Sequence, residues 1–225
     1  MKFLNKNTLL FDLDGTLVDS VPDLAFSVNQ TLIELGLTPF DQDIIRGWVG
    51  NGANVLIQRA LSGSADISKA LDSTLLKQAL EIFYQSYQRY NCIETCLYSD
   101  VLETLTELKN RGYRLVIITN KPERFISPII DGLALNGLFE LIIGGDTLNK
   151  RKPDPLPLEH ACQQLSVDTN QCVMIGDSKN DILAAKAAKI QSIALTYGYN
   201  YGEDISKYQP EVVLDNFADL LQILN

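Results

Sequence analysis

Histidine is almost missing from this chain: His160 is the only one among 225 residues. Cysteine is sparse as well, and Cys92, Cys96, Cys162 and Cys172 form no CxxC pair. A structural zinc site therefore has too few ligands, and the thiols read as reduced and mostly buried. No apolar run reaches the roughly eighteen residues that a membrane span needs, and no basic stretch leads into an apolar signal core at the N-terminus. The expectation is a cytoplasmic protein with no membrane partner. Positive charge is in deficit too, with 19 Lys and Arg against 28 Asp and Glu and a net charge of −9. That argues against nucleic acid, whose phosphates need basic partners, but leaves room for a small phosphorylated substrate held by a few local cations.

What is present is an ordinary globular composition, 46% hydrophobic and 21% charged, in a chain long enough for one large domain or two modest ones. The first apolar run, Thr8 to Phe11, reads as a short buried strand that ends in Asp12-Leu13-Asp14-Gly15-Thr16. Residues i and i+2 of an extended segment point the same way, so Asp12 and Asp14 can face one pocket. Two anions so placed repel unless a cation or a shared proton compensates, which makes a divalent metal ion the natural third party. The alternative is an Asp-Gly turn capped by Thr16.

After Asp19 the period changes. Ser20 as N-cap, Pro22 in the first turn and apolar Leu24, Val28, Leu32 and Leu35 predict a helix that Gly36 ends. Helical pattern continues through Ile44 to Trp48, Val55 to Leu61 and Leu71 to Tyr90, and no convincing strand follows before Tyr113. A helical block inserted just after a first strand does not fit a plain alternating α/β unit and reads as a separate cap domain. The division is residues 1–18 and 96–225 for the core and 19–95 for the cap. Within the cap, Gly47-Trp48-Val49-Gly50-Asn51-Gly52-Ala53 reads either as an interhelical turn around a core tryptophan or as a loop facing the active site.

From Asp100 the pattern alternates between helix and strand. Leu115 to Ile118, Leu141 to Ile143 and Cys172 to Ile175 are short apolar runs suited to burial on both faces, and Ser192 to Leu195 and Val212 to Leu214 are weaker ones. Helices are expected after Lys152, from Ile182 to Ala188 and from Phe217 to Leu224. The fold class is therefore α/β, a Rossmann-like parallel sheet core with an inserted helical cap. In such a sheet ligands bind beyond the carboxyl ends of the strands. Those ends carry Asp12 and Asp14, then Thr119 and Asn120, then the segment before Lys152, then Asp177 and Asp181.

Each of these residues alone has a bland reading as a cap, a turn or a solvated charge. Their order and spacing resemble the haloacid dehalogenase-like phosphohydrolases. Within that superfamily, Phe11 to Ser20, Trp48 to Ala53, Thr119 to Pro122, Gly144 to Asp146, Lys152 to Leu158, Gly176 to Ala188 and Leu195 to Glu203 are similar to the bacterial phosphoglycolate phosphatase family. The resemblance implies a magnesium-dependent phosphatase acting on a small phosphomonoester, 2-phosphoglycolate above others, through an aspartyl-phosphate intermediate. It implies Asp12 as nucleophile and Asp14 as acid and base. Mg2+ would be held by Asp12, the backbone carbonyl of Asp14 and Asp177, with Asp181 orienting the group. Lys152, Thr119 and Asn120, the last through its backbone amide, would hold the phosphoryl group.

The carboxylate at Asp14 favours phosphoryl transfer over dehalogenation, which attacks carbon and has no alkoxide to protonate. The alternatives are a sugar-phosphate phosphatase or phosphomutase of the same superfamily, or a non-catalytic phosphate-binding module. The chain would act as a monomer or homodimer. Arg46 and Arg59 could meet a substrate carboxylate but read as structural, His160 as a surface or core residue, and Tyr197, Tyr199 and Tyr201 as the rim of the site. Cys92 and Cys96 are expected on a helix where they could face each other. Lys189 stands where the family carries glycine, so that helix end is expected to take a shape other than a left-handed cap.

Overall fold

Thr8-Leu9-Leu10-Phe11 has no polar face to offer solvent, which suits the middle of a parallel sheet. The computed structural model, which describes residues 3–224, places it there. In chain order the elements are β1 (Thr8–Phe11), β2 (Val18–Asp19), α1 (Val21–Glu34), α2 (Gln42–Arg46), α3 (Ala53–Ser62), α4 (Ser73–Tyr90), β3 (Cys96–Leu97), α5 (Val101–Asn110) and β4 (Arg114–Ile118). They continue with α6 (Ile126–Gly132), β5 (Leu141–Ile143), α7 (Leu156–Leu165), β6 (Cys172–Gly176), α8 (Lys179–Ala187), β7 (Gln191–Leu195), β8 (Val212–Leu214) and α9 (Leu220–Ile223). Among the described residues, no helix is long and apolar enough to cross a membrane.

Six strands form one parallel sheet in the order β5-β4-β1-β6-β7-β8. Phe11 sits opposite Ile117 in β4 and Ile175 in β6, so Asp12, Thr119 and Asp177 leave the sheet at one edge. Strand residues alternate between two packed layers. Leu9, Phe11, Ile117 and Ile175 pack with residues of α5, α6 and α9, whereas Leu10, Val116 and Met174 pack with α7 and α8. The inserted helices α1 to α4 have a core of their own around Val28, Leu56, Phe83 and Tyr87.

Several expectations are corrected here. A two-residue antiparallel pair, β2 with β3, joins Val18 to Leu97 and Asp19 to Cys96 well before Tyr113. Cys92 therefore lies in a left-handed turn after α4 and Cys96 in a strand, not together on a helix. All four cysteines are free, Cys162 and Cys172 buried, Cys92 half-buried and Cys96 exposed. The closing helix is split into a 3-10 turn at Phe217–Asp219 and α9, with Phe217 and Leu220 anchored in the main core. Lys189 does adopt the left-handed conformation, at φ 58°. The N–H of Ile190 reaches the Ala185 carbonyl at 2.9 Å and that of Lys189 the Lys186 carbonyl at 3.1 Å, the paired bonds of a Schellman end.

Candidate active site

Asp12 leaves β1 with its N–H still bonded to Ile175 O, so the sheet fixes where its side chain begins. Its Oδ1 accepts from Leu13 N at 2.7 Å and from Lys152 Nζ at 3.0 Å. Lys152 is 2% exposed and also donates to Asp181 Oδ1 and to Ile118 O, both at 2.6 Å. Three acceptors thus use all three ammonium N–H bonds. Burial works to lower its pKa, but Asp12 and Asp181 outweigh it and hold the group charged.

Asp177, at the end of β6, accepts from Thr16 Oγ1 at 2.6 Å and from Tyr199 N at 2.5 Å. A side chain at Gly15, where φ is +92°, would run into this carboxylate, so glycine is required by space as well as by backbone shape. Asp181 Oδ2 accepts from Ser178 N at 3.0 Å and Ser178 Oγ at 2.8 Å, so the residue that caps α8 also faces Lys152.

Asp12, Asp177 and Asp181 present oxygens that all lie within 4.8 Å of one another. Of these three buried carboxylates, Asp12 and Asp181 pair with the Lys152 ammonium. Burial pushes Asp12 up to about 7, with Asp181 adding to the shift and Lys152 opposing it. Burial, and then Asp181 and Asp12, raise Asp177 well above the carboxylate range. An all-oxygen donor set with surplus negative charge fits a hard divalent cation.

The Asp14 carboxylate lies apart from this group, so any contribution to a metal would come through its carbonyl. It accepts from Ser20 Oγ at 2.6 Å and from Lys121 Nζ at 2.9 Å. Lys121 is 4% exposed and also donates to the hydroxyl of Tyr87 in α4 at 2.7 Å. Burial works to lower Lys121, but Asp14 and Tyr87 together raise it, so it stays an ammonium. Sequence reasoning missed Lys121 and Tyr87. The available signal was a lysine two residues after Thr119 at a strand end; Tyr87 offered none beyond its place in a helical stripe.

Thr119 is buried, and its hydroxyl accepts from Lys121 N at 3.1 Å. Asn120 donates from Nδ2 to Gly50 O and to Lys152 O, both at 3.0 Å, so its side chain fastens the cap loop to the core and only its main chain is left for a phosphate. Asn180 donates to the same Gly50 carbonyl at 3.1 Å. Gly50 and Gly52 line a cavity of about 40 Å³ with Asp12, Asp14, Thr119 and Lys121. Trp48 meanwhile is buried against Phe40, so the two readings of this loop both hold.

Of the three tyrosines, Tyr199 and Tyr201 bridge from the core to the inserted segment, and Tyr197 stays within the core. Tyr197 donates to Thr16 O, Tyr199 to Asp19 Oδ1 and Tyr201 to Asn51 Oδ1. Arg46 pairs with Asp19 at 3.1 Å and Arg59 donates to Trp48 O at 2.7 Å, and neither lines this cavity. His160 is half-buried in α7 and takes no part.

A family model described as haloacid dehalogenase-like hydrolase matches residues 9–195. The phosphoglycolate phosphatase of Colwellia psychrerythraea is 63% identical over 221 residues, 98% of each chain. That of Pseudomonas putida is 46% identical over 95% of this chain and 78% of its own. The crystal structure of a predicted phosphoglycolate phosphatase from Haemophilus somnus superposes with a TM-score of 0.92 at 38% identity, covering 98% of this chain and 99% of the other. With a family model matching most of its length and relatives alike along nearly all of it, the chain belongs to the haloacid dehalogenase-like hydrolases.

Proposed function

We propose that this chain is a magnesium-dependent phosphatase that hydrolyses 2-phosphoglycolate to glycolate and phosphate through Asp12. One observation carries the reading. Two carboxylates two residues apart are held in different surroundings, Asp12 among Lys152, Asp177 and Asp181, and Asp14 between Ser20 and Lys121. Such a split suits two different tasks. The relatives' names supply the substrate.

In the first step an Asp12 oxygen attacks phosphorus, the P–O ester bond breaks, and Asp14 gives its proton to the departing alkoxide. In the second, Asp14 takes a proton from water, whose oxygen attacks phosphorus and frees Asp12. Lys152 holds the attacking carboxylate in place and offsets phosphoryl charge, while Thr119 and the main-chain amide of Asn120 orient the transferring group. Mg2+ held by Asp12, the Asp14 carbonyl and Asp177, with Asp181 behind them, would reduce the repulsion between anionic nucleophile and anionic ester.

The division into a core of residues 1–18 and 96–225 and a cap of 19–95 is supported by the β2–β3 pair, where the chain leaves the core and returns to it. Four free cysteines are in keeping with the cytoplasm.

The test is phosphate release from 2-phosphoglycolate, hexose phosphates, nucleotides and pyrophosphate, each with magnesium and with a chelator. Phosphoglycolate should lead in kcat/KM by at least about tenfold, and the chelator should abolish turnover. A preference for a hexose phosphate would overturn the substrate and keep the chemistry. No release from any of them would leave a phosphate-binding module.

A further inference from the structure

The cavity beside Asp12 and Asp14 is walled mainly by apolar side chains, among them Leu24, Val49, Leu56 and Phe83. Among the described residues that line it, Lys121 is the one cation. Lys152 has no donor to spare, since Asp12, Asp181 and Ile118 O take all three of its N–H bonds. Lys121 differs. Two of its three contacts go to the oxygens of the single Asp14 carboxylate, at 2.9 and 3.2 Å, and the third to the Tyr87 hydroxyl at 2.7 Å. The longer contact to Asp14 can be exchanged for a substrate oxygen while the shorter one keeps the pair.

We propose that Lys121, oriented by Tyr87, is the residue that selects the substrate's carboxylate. This rests on the phosphoglycolate reading and deepens it. In 2-phosphoglycolate one methylene separates the ester oxygen from the carboxyl carbon. Asp14 must come within hydrogen-bond reach of that ester oxygen to protonate it. A carboxylate two bonds further on then falls beside the ammonium already bonded to Asp14. Ser20 Oγ remains on Asp14 at 2.6 Å, so Asp14 keeps a partner when Lys121 turns to the substrate. A neutral group in place of the carboxylate brings no anion to this buried ammonium among apolar walls, and loss of a charge-assisted bond there gives strong discrimination. Tyr87 comes from the cap and Lys121 from the core, so the pair is complete only when the cap covers the site. Tyr87 is a positioning residue here, acting through Lys121.

The test compares kcat/KM for 2-phosphoglycolate and for 2-hydroxyethyl phosphate, which carries CH2OH in place of the carboxylate. It is run on wild type, Lys121→Met and Tyr87→Phe, each with magnesium and each checked for folding by far-UV circular dichroism. Wild type should prefer the carboxylate by at least about a hundredfold. Lys121→Met should cut that ratio to below about ten, with KM for phosphoglycolate rising most. Tyr87→Phe should lower it by about threefold or more. A common loss on both substrates, from weakened support of Asp14, cancels in the ratio. If Lys121→Met lowers both substrates equally, Lys121 serves Asp14 alone and the proposal is overturned, while the phosphoglycolate reading stands. A wild-type ratio near one overturns both. Should Lys121→Met not fold, an unchanged ratio in Tyr87→Phe overturns the proposal and a lowered one supports it.

Discussion

Lys152 is buried with three acceptors for three N–H bonds, and among the described residues it is the one cation paired with Asp12 and Asp181. Replacing it with Met leaves two buried carboxylates unpaired, which in proteins costs about 3–5 kcal/mol. Lys152→Met should lower urea stability by that order in the absence of metal and reduce kcat by at least about a hundredfold. The same surplus of negative charge predicts a pH effect. Asp12 is pushed from 3.8 to about 7 by burial, and Asp177 is raised by burial in the same direction. A carboxyl that binds its proton more tightly when folded contributes stability that is complete below its unfolded pKa and is lost as pH rises through the folded one. Protein held in chelator should therefore lose a few kcal/mol, to order of magnitude, between pH 5 and pH 8. Magnesium should flatten that slope. Equal slopes in urea midpoint with and without magnesium would contradict the metal assignment.

Among the elements, the end of α8 shows the fold prevailing over residue preference. Lys189 sits at φ 58° because the chain must turn Ile190 back into the core, with the Ile190 N–H on the Ala185 carbonyl and the Lys189 N–H on that of Lys186. Lysine there is strained by about 1 kcal/mol relative to glycine. Lys189→Gly should raise the melting temperature by about 2–4 °C and leave kcat unchanged; a lower melting temperature would show that no strain is relieved. The central strands were legible because a strand buried on both faces writes a continuous apolar run, as in Leu115 to Ile118. The β2–β3 pair was not, since two residues have no period to read. At the site, Asp12, Thr119, Lys152 and Asp177 were legible from their order at strand ends. Tyr87 was not, because only tertiary packing brings a hydroxyl from α4 to a lysine 34 residues further along the chain. For Asp181 the resemblance implies a role in orienting the carboxylates around the metal; its place in the capping box with Ser178 and its contact with Lys152 appear only in the fold, where β4 and β6 flank β1.

In the whole molecule, the core of the sheet and that of the inserted helices meet at a seam where the polar strand ends lie. The sheet supplies the polar strand ends, and the inserted helices close over them through Gly50 O, held by Asn120 and Asn180, and through Tyr87. The cavity of about 40 Å³ between them is lined from both sides, by Asp12, Asp14 and Lys121 on the sheet side and by Leu24, Leu56 and Phe83 of the inserted helices. The net charge of −9 does not by itself oppose an anionic substrate at such a site, where a divalent cation held by the carboxylates, together with Lys152 and Lys121, would offset their charge. The measurement that bears most directly on Asp12 as nucleophile is phosphate release from 2-phosphoglycolate by Asp12→Asn, with magnesium present and folding verified. Loss of at least about a thousandfold in kcat is expected for removal of a nucleophile. A rate within about tenfold of wild type would contradict it.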